Sequence, residues 1–426
     1  MLPAVHPERL ELNDEVHARP SGELRAPSLI GYLAMLSPSS ERETEWRCLR
    51  DLLAASGVAL PGTAAAHYSA DAGAFTLRYE RHGEFARYMF IVPGSTADPF
   101  LQSPFDALPE GFVAALPGRV IVAARGALLA AEEPVDLEAI ATRWFDGNVL
   151  VGSRVSDDAA VALTDFRIRE DGFSRFLLLD RSTSPRQAGR ILQRVLEIDT
   201  YRMMALMSLP IARELGPFLS GCESELSQVT SVLEGAGLEE EATLLERLTR
   251  LQAQIEVRAA ANAYRFGASA AYYDLVQRRI AELREGRLPG LQPFGEFMER
   301  RLAPAMNTCR AVAARQNALS DRVARANQLL ATRVDITRER QNQALLESMD
   351  RRARAQLRLQ QTVEGLSIAA VTYYVVGLIV HLAAGLASVG LAVAPELVAG
   401  ASIPFVALTV GVMIHRIRHR IVRSPD

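Results

Sequence analysis

The chain has 426 residues, with 47 basic and 50 acidic groups, a formal net charge of −3 and three cysteines. That length allows two or three folding units with sizeable cores, and the near-neutral balance argues against a protein that coats nucleic acid. All 47 basic residues are arginine, which excludes a phosphate loop that needs its lysine and a Schiff-base enzyme that needs an amine nucleophile.

Residues 1–16 are polar and carry no apolar h-region, so no cleaved secretory signal is expected. His6, Glu15 and His17 lie close together but match no zinc or iron spacing, and a strand-edge or cap role is expected for them. Leu29–Leu36 reads as a strand, and Ser39–Ser56 as an amphipathic helix capped by Ser39 or Ser40. Phe75–Val92 alternates about His82-Gly83 and predicts a β-hairpin. Arg119–Ala123 and Asn148–Val155 predict strands, Asp136–Trp144 a helix, and Ala160–Asp180 a second hairpin turning at Asp171-Gly172. Cys48, Cys222 and Cys309 form no CxxC pair and read as reduced thiols in a cytosolic body.

Helices follow. Ser184–Leu215 opens with serine as cap and Pro185 at the first helical position. Glu239–Glu285 ends at the breakers Gly286, Pro289, Gly290 and Pro293. From about Phe294 to Gln361, alanine, leucine, arginine and glutamine dominate, all of them helix formers. Leu319, Val323, Ala326, Leu330, Val334, Thr337 and Gln341 recur there as a coiled-coil seam that turns polar toward its end. From Ala305 to Gln361 such a stalk would reach about 85 Å, antiparallel to the preceding helix. Only Gly365 interrupts its path into the next segment, so stalk and first span are expected to be one helix.

Leu366–Leu386 contains no acid and no arginine, and its 21 residues would extend about 30 Å, the thickness of a bilayer core. A second apolar run, Val398–Ile414, follows a loop containing Gly390, Pro395 and Glu396. Arg351, Arg352, Arg354 and Arg358 precede the first run; Arg416, Arg418, Arg420 and Arg423 follow the second. The positive-inside rule then places both termini in the cytoplasm. Within the first run, Ser367, Tyr374 and His381 lie seven apart in line with Gln360, and Ala370, Gly377 and Ala384 form a parallel row of small residues. Seven-spaced residues share a helix face, drifting only about 20° per heptad. Small residues let helices approach closely in lipid, and polar ones face a bundle interior or water. Ser367, Tyr374 and His381 are therefore pore-lining candidates, and Ala370, Gly377 and Ala384 helix-packing candidates. The alternatives are hydrogen bonds from Tyr374 and His381 to the second span of the same chain, or tyrosines facing lipid.

Asn13–Pro20 (NDEVHARP) and Arg358–Ser367 (RLQQTVEGLS) with Tyr373-Tyr374 resemble a bacterial membrane-protein family of unknown function over the whole chain. More distantly, the layout is similar to the CorA-type magnesium transporters. Those have a cytoplasmic α/β domain, a stalk helix entering the first of two C-terminal spans, and a basic tail. The likeness implies a pentamer with a pore lined by the first span, and a divalent cation as substrate or regulator. Asp157-Asp158 and Glu239-Glu240-Glu241 are the densest acidic candidates for such a cation, against an ordinary reading as solvated surface or a helix N-terminus. The chain departs from the superfamily where its Gly-x-Asn filter should close the first span: it has Gly385-Leu386-Ala387.

The expected fold is therefore an α+β cytoplasmic domain over residues 1–183, a helical region over 184–293 and a stalk over 294–365. A two-helix transmembrane hairpin (366–416) and a basic tail (417–426) complete this CorA-like architecture. No HExxH, GxSxG or GxGxxG is present, so no enzyme, cofactor or nucleic-acid partner is expected. The expected setting is the bacterial inner membrane, with the lipid bilayer and further copies of the chain as partners. The expected function is a cation channel or transporter without the filter, or else a non-conducting anchored scaffold or sensor.

Overall fold

The computed structural model describes residues 3–10, 12–13, 22–60, 62, 64–94, 98–131, 134–233, 238–388 and 394–422. Asn13 is described, but the rest of the Asn13–Pro20 motif, including Glu15 and His17, lies outside those residues. The chain divides into two compact units: Met1–Ala236 with Thr243–Asn327, and Gly237–Ala242 with Gln328–Asp426.

The first unit is built on an eight-stranded sheet. Its strands are β1 (Ser28–Leu36), β2 (His67–Asp71), β3 (Thr76–Arg81), β4 (Phe85–Pro93), β5 (Arg119–Ala130), β6 (Val151–Val155), β7 (Ala160–Thr164) and β8 (Ser174–Asp180). They lie in the order β2-β3-β4-β1-β5-β8-β7-β6, antiparallel throughout except for the parallel pair β5 and β8. The sheet is mixed, and its central strands read as almost unbroken apolar runs because both faces are covered. The hairpin about His82-Gly83 pairs Arg81 with Ala86. β7 and β8 pair as a hairpin too, but residues 165–173 form a longer connection than a tight turn, with Gly172 at φ +83° closing it. β5 runs well past Ala123, and the edge strand β2 was not expected: its sequence, HYSAD, is half-exposed and largely polar.

Helices cover both faces of the sheet. α1 (Arg42–Ala54) packs Trp46, Leu49, Leu52 and Leu53 against Leu33, Leu77, Tyr79 and Phe90. A 3-10 turn at Ser39–Glu41 precedes it, and neither Ser39 nor Ser40 caps it: the N-cap is Glu41, without a side-chain bond. α2 (Phe112–Ala115) is a single turn, and α3 (Leu137–Trp144) is capped by Asp136, which accepts from the Ala139 amide at 2.9 Å. On the opposite face lies α4 (Pro185–Leu206), whose cap Ser184 accepts from the Gln187 amide. It buries Ile191, Leu192, Val195 and Ile198 against Ile30, Tyr32 and Leu128. A Cβ on Gly189 would sit 2.0 Å from the Gly22 carbonyl oxygen, so glycine is what lets residues 22–24 cross this helix.

The helix expected to continue to Leu215 is interrupted at Met207, and α5 (Ser208–Leu233) starts anew. α6 (Leu238–Leu283) follows, then the short α7 (Phe294–Arg301), which is separate from the stalk. α8 (Ala303–Ser388) is one uninterrupted helix of 86 residues, so stalk and first apolar run are continuous. α9 (Pro395–Val422) begins before the expected Val398, and Pro404 lies within it. α6 is antiparallel to the first part of α8: Asn327 meets Thr249 and Gln252, while the Arg310 guanidinium lies 4.9 Å from the Tyr273 ring. Two helices, α8 and residues Pro395–Arg416 of α9, are long and apolar enough to cross a membrane. Only 6 % and 0 % of their most apolar stretches are buried within the chain.

Candidate functional site

In the second unit, Ile414 of α9 shares a cavity with Gln356, Gln360, Val363 and Ser367 of α8, and the half-buried residues of the two helices fall along one stripe. On α8 it carries Ile368, Thr372, Val375, Ile379 and the buried Ala383; on α9 it carries Val398, Ser402, Val406, Val410 and Ile414. Ser367, Tyr374 and His381 lie off that stripe and are exposed, Tyr374 to 72 %. Ala370, Gly377 and Ala384 are exposed as well. Ser367 donates back to the Val363 carbonyl at 2.8 Å, and the Tyr374 ring meets that of Tyr373. Among the described residues, neither Tyr374 nor His381 makes a hydrogen bond to α9.

These two rows belong to a longer pattern. Counting by sevens, one row runs Leu346, Ala353, Gln360, Ser367, Tyr374 and His381. Its companion runs Met349, Gln356, Val363, Ala370, Gly377 and Ala384. Together they are the a and d positions of an unbroken heptad. Every one of the twelve is exposed. Around the lower half of this seam, Arg351, Arg354 and Arg358 point to other faces, and Arg354 pairs with Asp350 one turn away. The sequence alone marked the rows from Gln360 and Ala370 onward, and not their extension back to Leu346 and Met349.

The first unit holds two buried ionic clusters. Glu197 on α4 takes Arg87 Nη1 at 2.6 Å and Gln193 Nε2 at 2.8 Å, and it also accepts from Arg279 of α6. Burial alone would raise the Glu197 carboxyl, but the Arg87 and Arg279 guanidiniums outweigh it and hold it down to about 2. On the other face, Glu45 accepts from Tyr79 Oη and Arg81 Nη1, both at 2.7 Å. Burial pushes the Tyr79 phenol up, and its bond to Glu45 adds to that. Both carboxylates are fully engaged by fixed donors, so these clusters tie helices to the sheet rather than offering an acid or base to a substrate.

Among the described residues, no group of three or more His, Cys, Asp or Glu side chains could hold a metal ion. Asp157 pairs with Arg284 at 2.6 Å, and Asp158 pairs with Arg181 at 2.7 Å. Glu240 and Glu241 lie in the first turns of α6, where Glu241 pairs with Arg333 at 2.5 Å. His6 accepts from the Glu8 amide, and all three cysteines are free thiols. The first unit holds a cavity of about 470 Å³, lined by Asp165, Phe166, Arg167, Arg202, Leu206, Met298 and Arg301 among others, and one of about 300 Å³ beside α3. No sequence motif marked the larger, because its arginines come from three segments more than thirty residues apart.

The family described as "Protein of unknown function (DUF3422)" matches residues 4–421, and the chain belongs to it. No curated protein and no solved structure matches the chain, the CorA-type transporters included.

Proposed function

We propose that this member of the DUF3422 family is a membrane-anchored homo-oligomer in which first spans pack in parallel around a polar axis, and that the axis passes cations. The observation that supports this reading is the exposed heptad that enters the apolar span without a break. Its small d positions, Ala370, Gly377 and Ala384, allow close approach in lipid. Its a positions, Gln360, Ser367, Tyr374 and His381, would otherwise face hydrocarbon, where polar groups are costly. Among the described residues no hydrogen bond from α9 reaches them, which supports a second copy as the partner. The CorA-like layout makes a pentamer the leading stoichiometry and a divalent cation the leading cargo or regulator, in the bacterial inner membrane with both termini cytoplasmic.

A second reading is a non-conducting anchored sensor. The Tyr374 ring at mid-span favours it, because a ring of tyrosines can fill an axis that lacks the Gly-x-Asn filter. The purified protein in liposomes separates the two. Saturable uptake of magnesium or a monovalent cation, altered by Tyr374→Phe and His381→Ala with the oligomer intact, is the expected result. Intact oligomers that pass neither class of ion would overturn conduction and leave the sensor.

A further inference from the structure

The cavity of about 470 Å³ in the first unit lies where the connection after β7, the C-terminal end of α4 and α7 meet. Three guanidiniums line it and one carboxylate, Asp165. That carboxylate does not neutralise them: it is held by Arg169 Nη2 at 2.9 Å and Asn148 Nδ2 at 3.0 Å, both outside the cavity wall. Arg202 gives two nitrogens to Asp199 and lies 5.2 Å from the Phe166 ring, which leaves its Nη1 without a hydrogen bond. Among the described residues, Arg167 and Arg301 have no carboxylate and no other side-chain partner. With Arg202 paired to Asp199, Arg167 and Arg301 bring the net positive charge to this concave space, and an anion joining them would relieve their repulsion.

The local backbone is committed to this arrangement. Phe166 holds φ at +51°, a left-handed conformation that costs a residue other than glycine on the order of 1–3 kcal/mol. Its ring is fixed by stacking on Phe297 with centroids 5.0 Å apart, so residues on either side of it are aimed by a rigid anchor. The remaining wall is apolar, with Leu206, Met298 and Leu302. A guanidinium fork matches phosphate oxygens bidentately, and the volume falls in the range that small-molecule sites occupy.

We propose that this cavity binds a small organic phosphate, with its phosphate on Arg167, Arg202 and Arg301 and its carbon part against Leu206, Met298 and Leu302. The inference stands apart from conduction, because the site lies wholly in the first unit and binding is read without flux.

The test is calorimetric titration of the full-length detergent-solubilised protein with AMP, glycerol 3-phosphate, pyrophosphate and inorganic phosphate. At least one organic phosphate is expected to bind more tightly than inorganic phosphate, with affinity falling as salt rises. Arg167→Ala with Arg301→Ala should weaken it tenfold or more. Arg250→Ala, an exposed arginine paired with Glu246 one turn away on α6 and absent from the cavity wall, should leave it unchanged. Unaltered thermal unfolding of the double variant shows that its body is intact, as expected for two exposed side chains. If vesicles of phosphatidylglycerol displace the probe, the phosphate comes from a lipid headgroup; if they do not, it comes from a soluble metabolite. No binding of any probe, or equal binding by wild type and the double variant, would overturn the proposal.

Discussion

The helix Ala303–Ser388 carries two seams, and they differ in what covers them. In its first part Met306, Cys309, Leu319 and Val323 are buried, by the same chain. α5 offers Leu219, Cys222 and Leu226 as buried residues, α6 offers Leu248, Leu251 and Ile255, and Arg315 pairs with Glu223 across the contact. In its later part, Leu346, Met349, Val363 and Tyr374 obey the same spacing and are all more than half exposed. The phase also changes. Continuing the first seam by sevens from Cys309, Val323 and Leu330 leads to Ala344, Arg351 and Arg358, whereas the second seam lies about 150° round the helix. One helix thus presents one face to its own chain and leaves nearly the opposite face exposed. On the proposed reading, a partner from outside the chain covers the later seam.

The largest effect should come from the covered seam. Leu319 is 1 % exposed, and Leu319→Ala should lose about 2–5 kcal/mol from the unfolding of the first unit. Leu346→Ala, on the open seam, should leave that transition unmoved, as denaturant titration of both variants would show. An equal loss from both would mean the two stretches share one core, and the comparison would fail.

Acid should separate the regions next. Glu197 sits at about 2 in the folded chain against an ordinary value of 4.5, so its ion pairs stabilise the fold above the ordinary value. That stabilisation falls away as pH drops from about 4.5 through 2, by on the order of 3 kcal/mol. Glu197→Gln should flatten this part of the stability–pH curve, although it also lowers stability at neutral pH by leaving Arg87 buried without its charge partner. The open seam has no carboxylate at any a or d position between Leu346 and Val363, so cross-linking along the stalk should not follow that curve.

How far these regions could be read from the sequence depended on how local their signals are. The β3–β4 hairpin was legible because alternation and a His-Gly turn occupy neighbouring residues. The continuity of stalk and span was legible because Gly365 is the only breaker near their junction, and one glycine is tolerated in a long helix. The interruption at Met207 was missed although Pro210 marks it, since proline fits a first turn and not an interior. β2 was missed because an edge strand facing solvent carries no apolar run. The part of the open seam below Gln360 was hidden by Gln356, which breaks the apolar pattern at a position a polar core would use. The arginine cavity was invisible, because nothing in the spacing of Arg167, Arg202 and Arg301 foretells that a sheet and two helices bring them together.

A smaller effect tests who reads the open seam. With the three native cysteines replaced, Gln360→Cys should form disulfides between copies under mild oxidation, because an a position meets its own counterpart in a parallel assembly. Arg358→Cys, on the outer face, should not. Leu346→Asp should weaken the assembly by about 2 kcal/mol per copy, the burial of one leucine. Cross-linking at Arg358 and not at Gln360 would place the contact on the other face and remove the argument for a polar axis.

The smallest effect is also the sharpest control. Asp350 and Arg354 pair one turn apart at exposed positions flanking the seam. If copies meet only through the a and d positions, the pair remains in water after assembly, and Arg354→Gln should change oligomer stability by no more than about 0.5 kcal/mol. If the interface instead wraps around to the arginine face, the same change removes a desolvated charge partner, and the loss should approach that of Leu346→Asp. Sedimentation of the two variants side by side therefore measures how wide the seam is, and a narrow one is what a parallel bundle around an axis requires.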